Sequence, residues 1–139
     1  CHSMVVHYVD YGDDAAIADG TKDLVFTNNL SNPIYIEGIA DGSDLTFNIW
    51  GIETRPANRT VKYIAETISE EYPKPDEYNE KKSNEYPKGE VHFSGTKRPK
   101  VVATLTKYVY EDDVCVEKTL LHTDTYAMSK LNRITGTKE

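Results

Sequence analysis

Hydrophobic and polar residues alternate in short runs along most of the chain, with the period of two that is typical of β-strands. In the first third, residues 34–39 and 45–50 flank an Asp-Gly-Ser-Asp tetrapeptide at 41–44. An Asp-Gly step readily adopts the positive φ of a tight turn, so the two runs are predicted to form a hairpin. In the second run, Leu45, Phe47 and Ile49 fall on one face and Thr46, Asn48 and Trp50 on the other, and one of the two faces should be core.

Other short runs predict further strands. Residues 4–9 and 23–27 are β-prone and are each followed by turn-forming residues. Residues 61–68 alternate in the same way. Between 69 and 90 the chain carries three prolines, at 73, 75 and 87, within a dense mixture of Glu and Lys. Prolines at this spacing do not fit a helix or a central strand, so the segment is predicted to be extended and exposed, as a connector or an edge excursion.

The last third returns to a clear β pattern. Residues 100–110 form the longest predicted strand, and residues 114–122 are its antiparallel partner across Glu111-Asp112-Asp113. A short final strand is predicted at 133–137, and no convincing helix is present. The pattern therefore predicts an all-β chain of short antiparallel hairpins followed by an elongated, thin antiparallel sheet.

Composition excludes several functions. The 139 residues include 16 Lys and Arg against 23 Asp and Glu, a formal charge of −7, which argues against nonspecific nucleic-acid binding. No apolar run approaches the roughly 20 residues of a membrane span. The two cysteines, Cys1 and Cys115, have no metal-ligand spacing, and the four histidines form no metal-binding pair. We therefore expect neither a metal site nor a cofactor, and we expect Cys115 to be a half-buried structural thiol.

Few residues are candidates for chemistry. The His2-Ser3 pair is half of an acyl-transfer arrangement, with the imidazole as base, although a lone histidine is more often an ordinary surface residue. Tyr108 and Tyr110 lie on the polar face of the longest strand and are candidates for stacking against sugar rings. The alternative is that these tyrosines pack at the edge of a thin sheet with their hydroxyls in water.

Residues 2–52 contain His2-Ser3-Met4-Val5, Gly12-Asp13-Asp14-Ala15, and the string Asp-Leu-x-Phe-x-Asn-Asn-x-x-x-Pro-Ile at 23–34. With these motifs the stretch resembles the C-terminal part of the VanW family domain. The family is named after an accessory protein of vancomycin resistance in Gram-positive bacteria. Because Cys1 stands where a translated chain would begin with methionine, we expect the sequence to be an excerpt of a longer protein.

The stretch from about Thr67 to the end contains Gly89, Ser94-Gly95, Thr125-Tyr126 and the closing Gly136-Thr137-Lys138. With these residues it is similar to the five-glycine cell-wall domain, a thin β module. Asp113 departs from the pattern, because it replaces the glycine of the usual Asp-Gly turn, and Pro99 or a neighbour stands at another usual glycine. These changes bear on close backbone approach more than on the fold.

The resemblance implies a function and a set of residues. Some VanW-domain proteins are associated with L,D-transpeptidation of peptidoglycan through a cysteine in a Gly-Gly-x-Cys-Gln-type motif, which this sequence lacks. The residues that carry over are His2 as base or orienting group, Ser3 beside it, and Asp14 of the Asp-Ala motif. We expect no catalysis by this chain alone and leave open whether the full-length protein is an enzyme.

Two functions remain open at this point. One is a noncatalytic, peptidoglycan-associated or scaffolding module with Tyr108 and Tyr110 as ligand-binding residues. The other is the downstream part of a cysteine L,D-transpeptidase-like acyl-transfer enzyme whose nucleophile lies upstream.

The expected organisation follows the two resemblances. It is a partial VanW-like domain at 1–52, a connecting strand at 53–66, and a five-glycine-like domain at 67–139. The expected location is the bacterial cell envelope or the exterior, with peptidoglycan or wall glycan as partner. Exposed strand edges also favour a dimer.

Overall fold

The computed structural model describes residues 1–139 and contains eight β-strands and no helix, which confirms the all-β prediction. The strands form one two-stranded and two three-stranded sheets. Their bounds are β1 Tyr35–Asp41, β2 Asp44–Trp50, β3 Arg59–Glu71, β4 Tyr78–Pro87, β5 Val91–Ser94, β6 Lys100–Glu111, β7 Val114–Tyr126 and β8 Leu131–Lys138. No helix that is long and apolar enough to cross a membrane is present.

The predicted hairpin is formed by β1 and β2, with Asp41 paired to Asp44. Gly42 takes the first central position of the turn with φ +60°, as a type II′ turn requires. The prediction that one face of β2 is core is wrong, because Leu45, Phe47 and Ile49 on one face remain 63%, 64% and 65% exposed and Trp50 on the other face is 58% exposed. A two-stranded sheet has no second layer that could cover them, and two of these side chains line an open apolar groove of about 500 Å³.

The central sheet has the strand order β3-β6-β7 and is antiparallel throughout. The turn between β6 and β7 places Asp112 and Asp113 at φ 49° and 64°, the geometry of a type I′ turn. Asn58 supports this turn, because its carbonyl oxygen accepts a hydrogen bond of 3.0 Å from the Asp112 amide. β3 is one strand from residue 59 to 71, so it crosses the boundary expected between residues 66 and 67.

The third sheet has the order β4-β8-β5, and β8 pairs antiparallel with β5 but parallel with β4. β4 lies within the proline-containing segment and is an edge strand, with Pro87 as its last residue. Gly136 of β8 is buried against the end of β4. A Cβ atom at this position would lie 2.0 Å from the Pro87 carbonyl oxygen, so the close approach of the two strands requires glycine.

Residues 1–34 form no strand, and their secondary structure is limited to turns, bends and one isolated bridge between Ala18 and Lys22. The strands predicted at 4–9 and 23–27 are therefore wrong. Neither run has a neighbouring strand to pair with. Instead, the first run packs its Val5 side chain into the core.

The core is small and lies where the irregular N-terminal segment meets β6 and β7. It consists of Val5, Val101, Ala103 and Tyr126, with Tyr11 packed against it. The accessible surface is 10565 Å², whereas a compact protein of this mass has roughly 7,300 Å². The large surface shows that the sheets are single layers without a shared interior.

Candidate functional site

His2 and Asp14 lie in direct contact although 11 residues separate them in the chain. The imidazole Nδ1 of His2 is 2.6 Å from Oδ2 of Asp14, and the His2 backbone amide donates to the same oxygen, also at 2.6 Å. The carboxylate therefore fixes both the backbone and the ring of His2. The irregular conformation of residues 2–14 makes this contact possible, because it folds the segment back on itself.

The Asp14 carboxyl group is held in its charged form. Its side chain is only 1% exposed. Burial raises the pKa of Asp14, but the hydrogen bonds donated by Tyr126 and His2 outweigh burial and lower this pKa from 3.8 to about 2. An ionised carboxylate only accepts hydrogen bonds, so the proton between the two side chains lies on Nδ1 of His2. In the neutral ring the second nitrogen, Nε2, carries the lone pair, and the His2 side chain is 32% exposed.

Tyr126, at the end of β7, contacts both the Asp14 carboxylate and the Gly12 backbone. Its hydroxyl donates to Oδ1 of Asp14 and accepts a hydrogen bond of 2.7 Å from the Gly12 amide. The ring is fully buried. Burial and the hydrogen bond to Asp14 raise the pKa of Tyr126 to about 12, so the hydroxyl keeps its proton and remains a donor.

His122, which lies on β7, is a second histidine that contacts the N-terminal segment, at the Gly12 backbone. Nε2 of His122 is 3.2 Å from the Gly12 carbonyl oxygen and 3.1 Å from Oδ2 of Asp124. Both neighbours are acceptors, so the His122 proton lies on Nε2. Gly12 itself has φ +92°, and a Cβ atom there would lie 3.3 Å from the Thr104 carbonyl oxygen, so this contact also favours glycine.

Ser3 is not brought into the contact between His2 and Asp14. The backbone carbonyl of Ser3 accepts a hydrogen bond of 2.7 Å from the Ala127 amide, and the residue is exposed. Both cysteines are exposed, so the expectation that Cys115 is half-buried is wrong. Its thiol lies 3.5 Å from the Glu117 carbonyl oxygen, on the outer strand of a single-layer sheet that offers nothing to bury it.

Tyr108 and Tyr110 lie side by side on β6, with ring centroids 6.5 Å apart and planes inclined by 21°. Both are half-buried. Lys118 lies over the Tyr108 ring at 5.2 Å and Lys62 lies over the Tyr110 ring at 5.4 Å. The strip is therefore a mixed aromatic and cationic surface, and the lysines cover part of the ring faces that the sequence suggested as open platforms.

Two open cavities are lined by residues that follow His2 in the N-terminal segment. The ring of Tyr8 meets the His2 imidazole edge to face, with centroids 6.2 Å apart. Tyr8 also lines a cavity of about 430 Å³ together with His7, Val9, Asp10 and Asp13. An adjoining cavity of about 460 Å³ reaches Ala65 and Thr67 of β3. His2 lines neither cavity, and Tyr8 connects it only to the first.

The sequence did not identify the contribution of β7 to the site. Tyr126 is 112 residues from Asp14 and His122 is 110 residues from Gly12. The only signal was the presence of Tyr126 among residues similar to the five-glycine domain. No residue spacing could have paired these positions, because they meet only through docking of the N-terminal segment on the central sheet.

Comparisons with known proteins agree with the first of the two resemblances. Residues 1–50 match the family model of VanW, described as VanW like protein, which confirms the resemblance of this segment. A solved structure titled IgA1 Protease G5 domain structure is also similar, at 18% sequence identity and a TM-score of 0.34. The matched region covers 58% of this chain and 94% of the G5 domain chain in that structure. No curated protein matches the sequence.

Proposed function

We propose that residues 1–14 supply the general base of an acyl-transfer site in a bacterial cell-envelope protein. The observation that carries the proposal is the 2.6 Å contact between Nδ1 of His2 and the buried carboxylate of Asp14. A carboxylate in this position orients the imidazole and stabilises the imidazolium that forms when Nε2 takes up a proton. The VanW match over residues 1–50 supports the location at the cell envelope.

The proposed chemistry uses a cysteine thiol that the motifs of this chain do not provide. In the first step, Nε2 of His2 accepts the thiol proton, and the sulfur attacks the carbonyl carbon of a peptide bond in a peptidoglycan stem. A thioester forms, the C–N bond breaks, and the leaving amine takes the proton back from His2. In the second step, an acceptor amine attacks the thioester and gives its proton to His2, which restores the thiol.

The test compares single variants of the full-length protein in a muropeptide cross-linking assay. His2→Ala should abolish cross-linking, and Asp14→Asn should lower it by a factor of roughly 100 or more, because the imidazole loses its orienting carboxylate. His7→Ala is the matched control, since His7 lies outside the contact between His2 and Asp14. Full cross-linking by His2→Ala, or no cross-linking by the unmodified full-length protein, would overturn the proposal.

A second candidate function is noncatalytic association with peptidoglycan. The Tyr108 and Tyr110 strip favours it, because aromatic rings bind the apolar faces of sugars and the flanking ammonium groups of Lys62 and Lys118 complement peptide carboxylates. It predicts that the purified chain pellets with Gram-positive sacculi and that soluble muropeptides compete for this binding. Tyr63→Ala is the control for substitutions in the strip, because Tyr63 is exposed on the face of the sheet opposite to Tyr108 and Tyr110. A chain that stays in the supernatant would exclude this function.

A further inference from the structure

We propose that the end of β7 is a positioning element for the His2–Asp14 base, with Tyr126 as its principal residue, so that the base works only when residues 1–14 are docked on the central sheet. This inference rests on the proposed function and assigns a role in it to the second part of the chain. Tyr126 acts through Asp14 and does not touch the reacting atoms, so it is a positioning residue.

Several contacts hold the beginning of the N-terminal segment on the central sheet. The Ser3 carbonyl accepts from the Ala127 amide, and the Val5 carbonyl accepts from the Arg98 guanidinium. The Val5 side chain is fully buried against Val101, Ala103 and Tyr126. These contacts fix the segment immediately after His2.

The other end of the same segment, at Gly12 and Asp14, is held by β7. Gly12 is held at both of its backbone groups by β7, since its amide donates to the Tyr126 hydroxyl at 2.7 Å and its carbonyl faces Nε2 of His122 at 3.2 Å. Asp14 follows two residues later and accepts a hydrogen bond from the same Tyr126 hydroxyl. The hydroxyl therefore sets the position of Asp14 directly and through the backbone.

The Tyr126 hydroxyl also orients the Asp14 carboxylate. Tyr126 binds Oδ1 and His2 binds Oδ2, so the hydroxyl fixes the rotation of the carboxyl group about its bond to Cβ. Without that donor, the carboxylate is held only through Oδ2, by the His2 amide and Nδ1, so its rotation is less restricted and the direction of the imidazole is less well fixed. A displacement of about 1 Å at a reacting group can cost a factor of roughly 100 in rate.

The test uses Tyr126→Phe, which keeps the buried ring and removes only the hydroxyl. Tyr11→Phe is the matched control, because the Tyr11 ring packs against the Tyr126 ring, with centroids 6.0 Å apart, but lies outside the hydrogen-bond network of Asp14. The first readout is the titration midpoint of the Asp14 carboxyl carbon, followed by NMR on this chain. It should rise from about 2 toward 3.8 in Tyr126→Phe and stay unchanged in Tyr11→Phe.

The second readout is the cross-linking rate of the full-length protein, which should fall by a factor of roughly 10 to 100 in Tyr126→Phe. If His2→Ala is inactive while Tyr126→Phe keeps its full rate and its Asp14 midpoint, the positioning role is overturned and the base remains. If the full-length protein forms no cross-links, the proposed function fails, and the Asp14 midpoint alone then decides whether Tyr126 positions the carboxylate. Amide exchange of Val109 in the central sheet shows whether each variant is folded.

Discussion

Replacing Asp14 with Asn removes the charge on which three donors converge, namely the Tyr126 hydroxyl and the amide and Nδ1 of His2. The lowering of the Asp14 pKa from 3.8 to about 2 corresponds to about 2 kcal/mol at neutral pH. Asn has one acceptor oxygen where Asp has two, so either the His2 donors or the Tyr126 hydroxyl lose their acceptor, which adds about 1 kcal/mol. We therefore expect docking of residues 1–14 to weaken by about 3 kcal/mol.

Amide hydrogen exchange measures this loss locally. The Gly12 and Ala127 amides report on docking, because they donate to the Tyr126 hydroxyl and the Ser3 carbonyl, respectively. A loss of about 3 kcal/mol speeds their exchange by a factor of roughly 100. Asp13→Asn is the matched control, since Asp13 is exposed. Exchange in Asp14→Asn within a factor of about three of the unmodified chain would refute this reasoning.

The same carboxylate predicts a pH dependence. Because the pKa of Asp14 is lower in the folded chain, its contribution is complete above the unfolded value of 3.8 and is lost as the pH falls toward about 2. Protection of Gly12 in the unmodified chain should therefore decrease over this range. The Asp14→Asn variant should lack this part of the decrease, and an identical decrease in both proteins would contradict the assignment.

Three further predictions concern the sheets. Gly136→Ala should destabilise the chain by at least about 2 kcal/mol in urea unfolding, because its Cβ atom would meet the Pro87 carbonyl oxygen at 2.0 Å. Gly51→Ala is the control, because its Cβ atom meets only a methyl group at 3.4 Å. Asp113→Gly should raise stability by about 0.5 to 1 kcal/mol, since glycine relieves a φ of 64°; a lower melting temperature would contradict this. Replacing Lys62 and Lys118 together with Gln should weaken any pelleting with sacculi severalfold, and unchanged pelleting would exclude the strip.

Some of the fold follows from local pattern and some does not. Alternation on both sides of a short polar turn predicts antiparallel pairs at 34–50 and 100–122, and the structure confirms both. Residues 4–9 have the same β-prone composition but form no strand, since composition does not supply a neighbouring strand. The parallel pairing of β4 with β8 joins segments about 50 residues apart, and no local signal specifies it.

The candidate site was predictable only in part. The resemblance drew attention to His2 and Asp14, and the structure brings these two together. It also named Ser3, whose backbone alone takes part in docking. Tyr126 and His122 were not predicted as site residues, because their role depends on how a segment without regular structure packs on a distant strand.

The nitrogen-15 NMR spectrum of the His2 ring in this chain at pH 8 shows directly whether Asp14 prepares His2 as a base. We predict a single tautomer, with the proton on Nδ1 and bonded to Asp14 and with Nε2 unprotonated. In Asp14→Asn, the signals should move toward those of a free, averaging imidazole. A His2 ring that already averages in the unmodified chain, or that carries its proton on Nε2, would contradict the claim that Asp14 prepares His2 as a base.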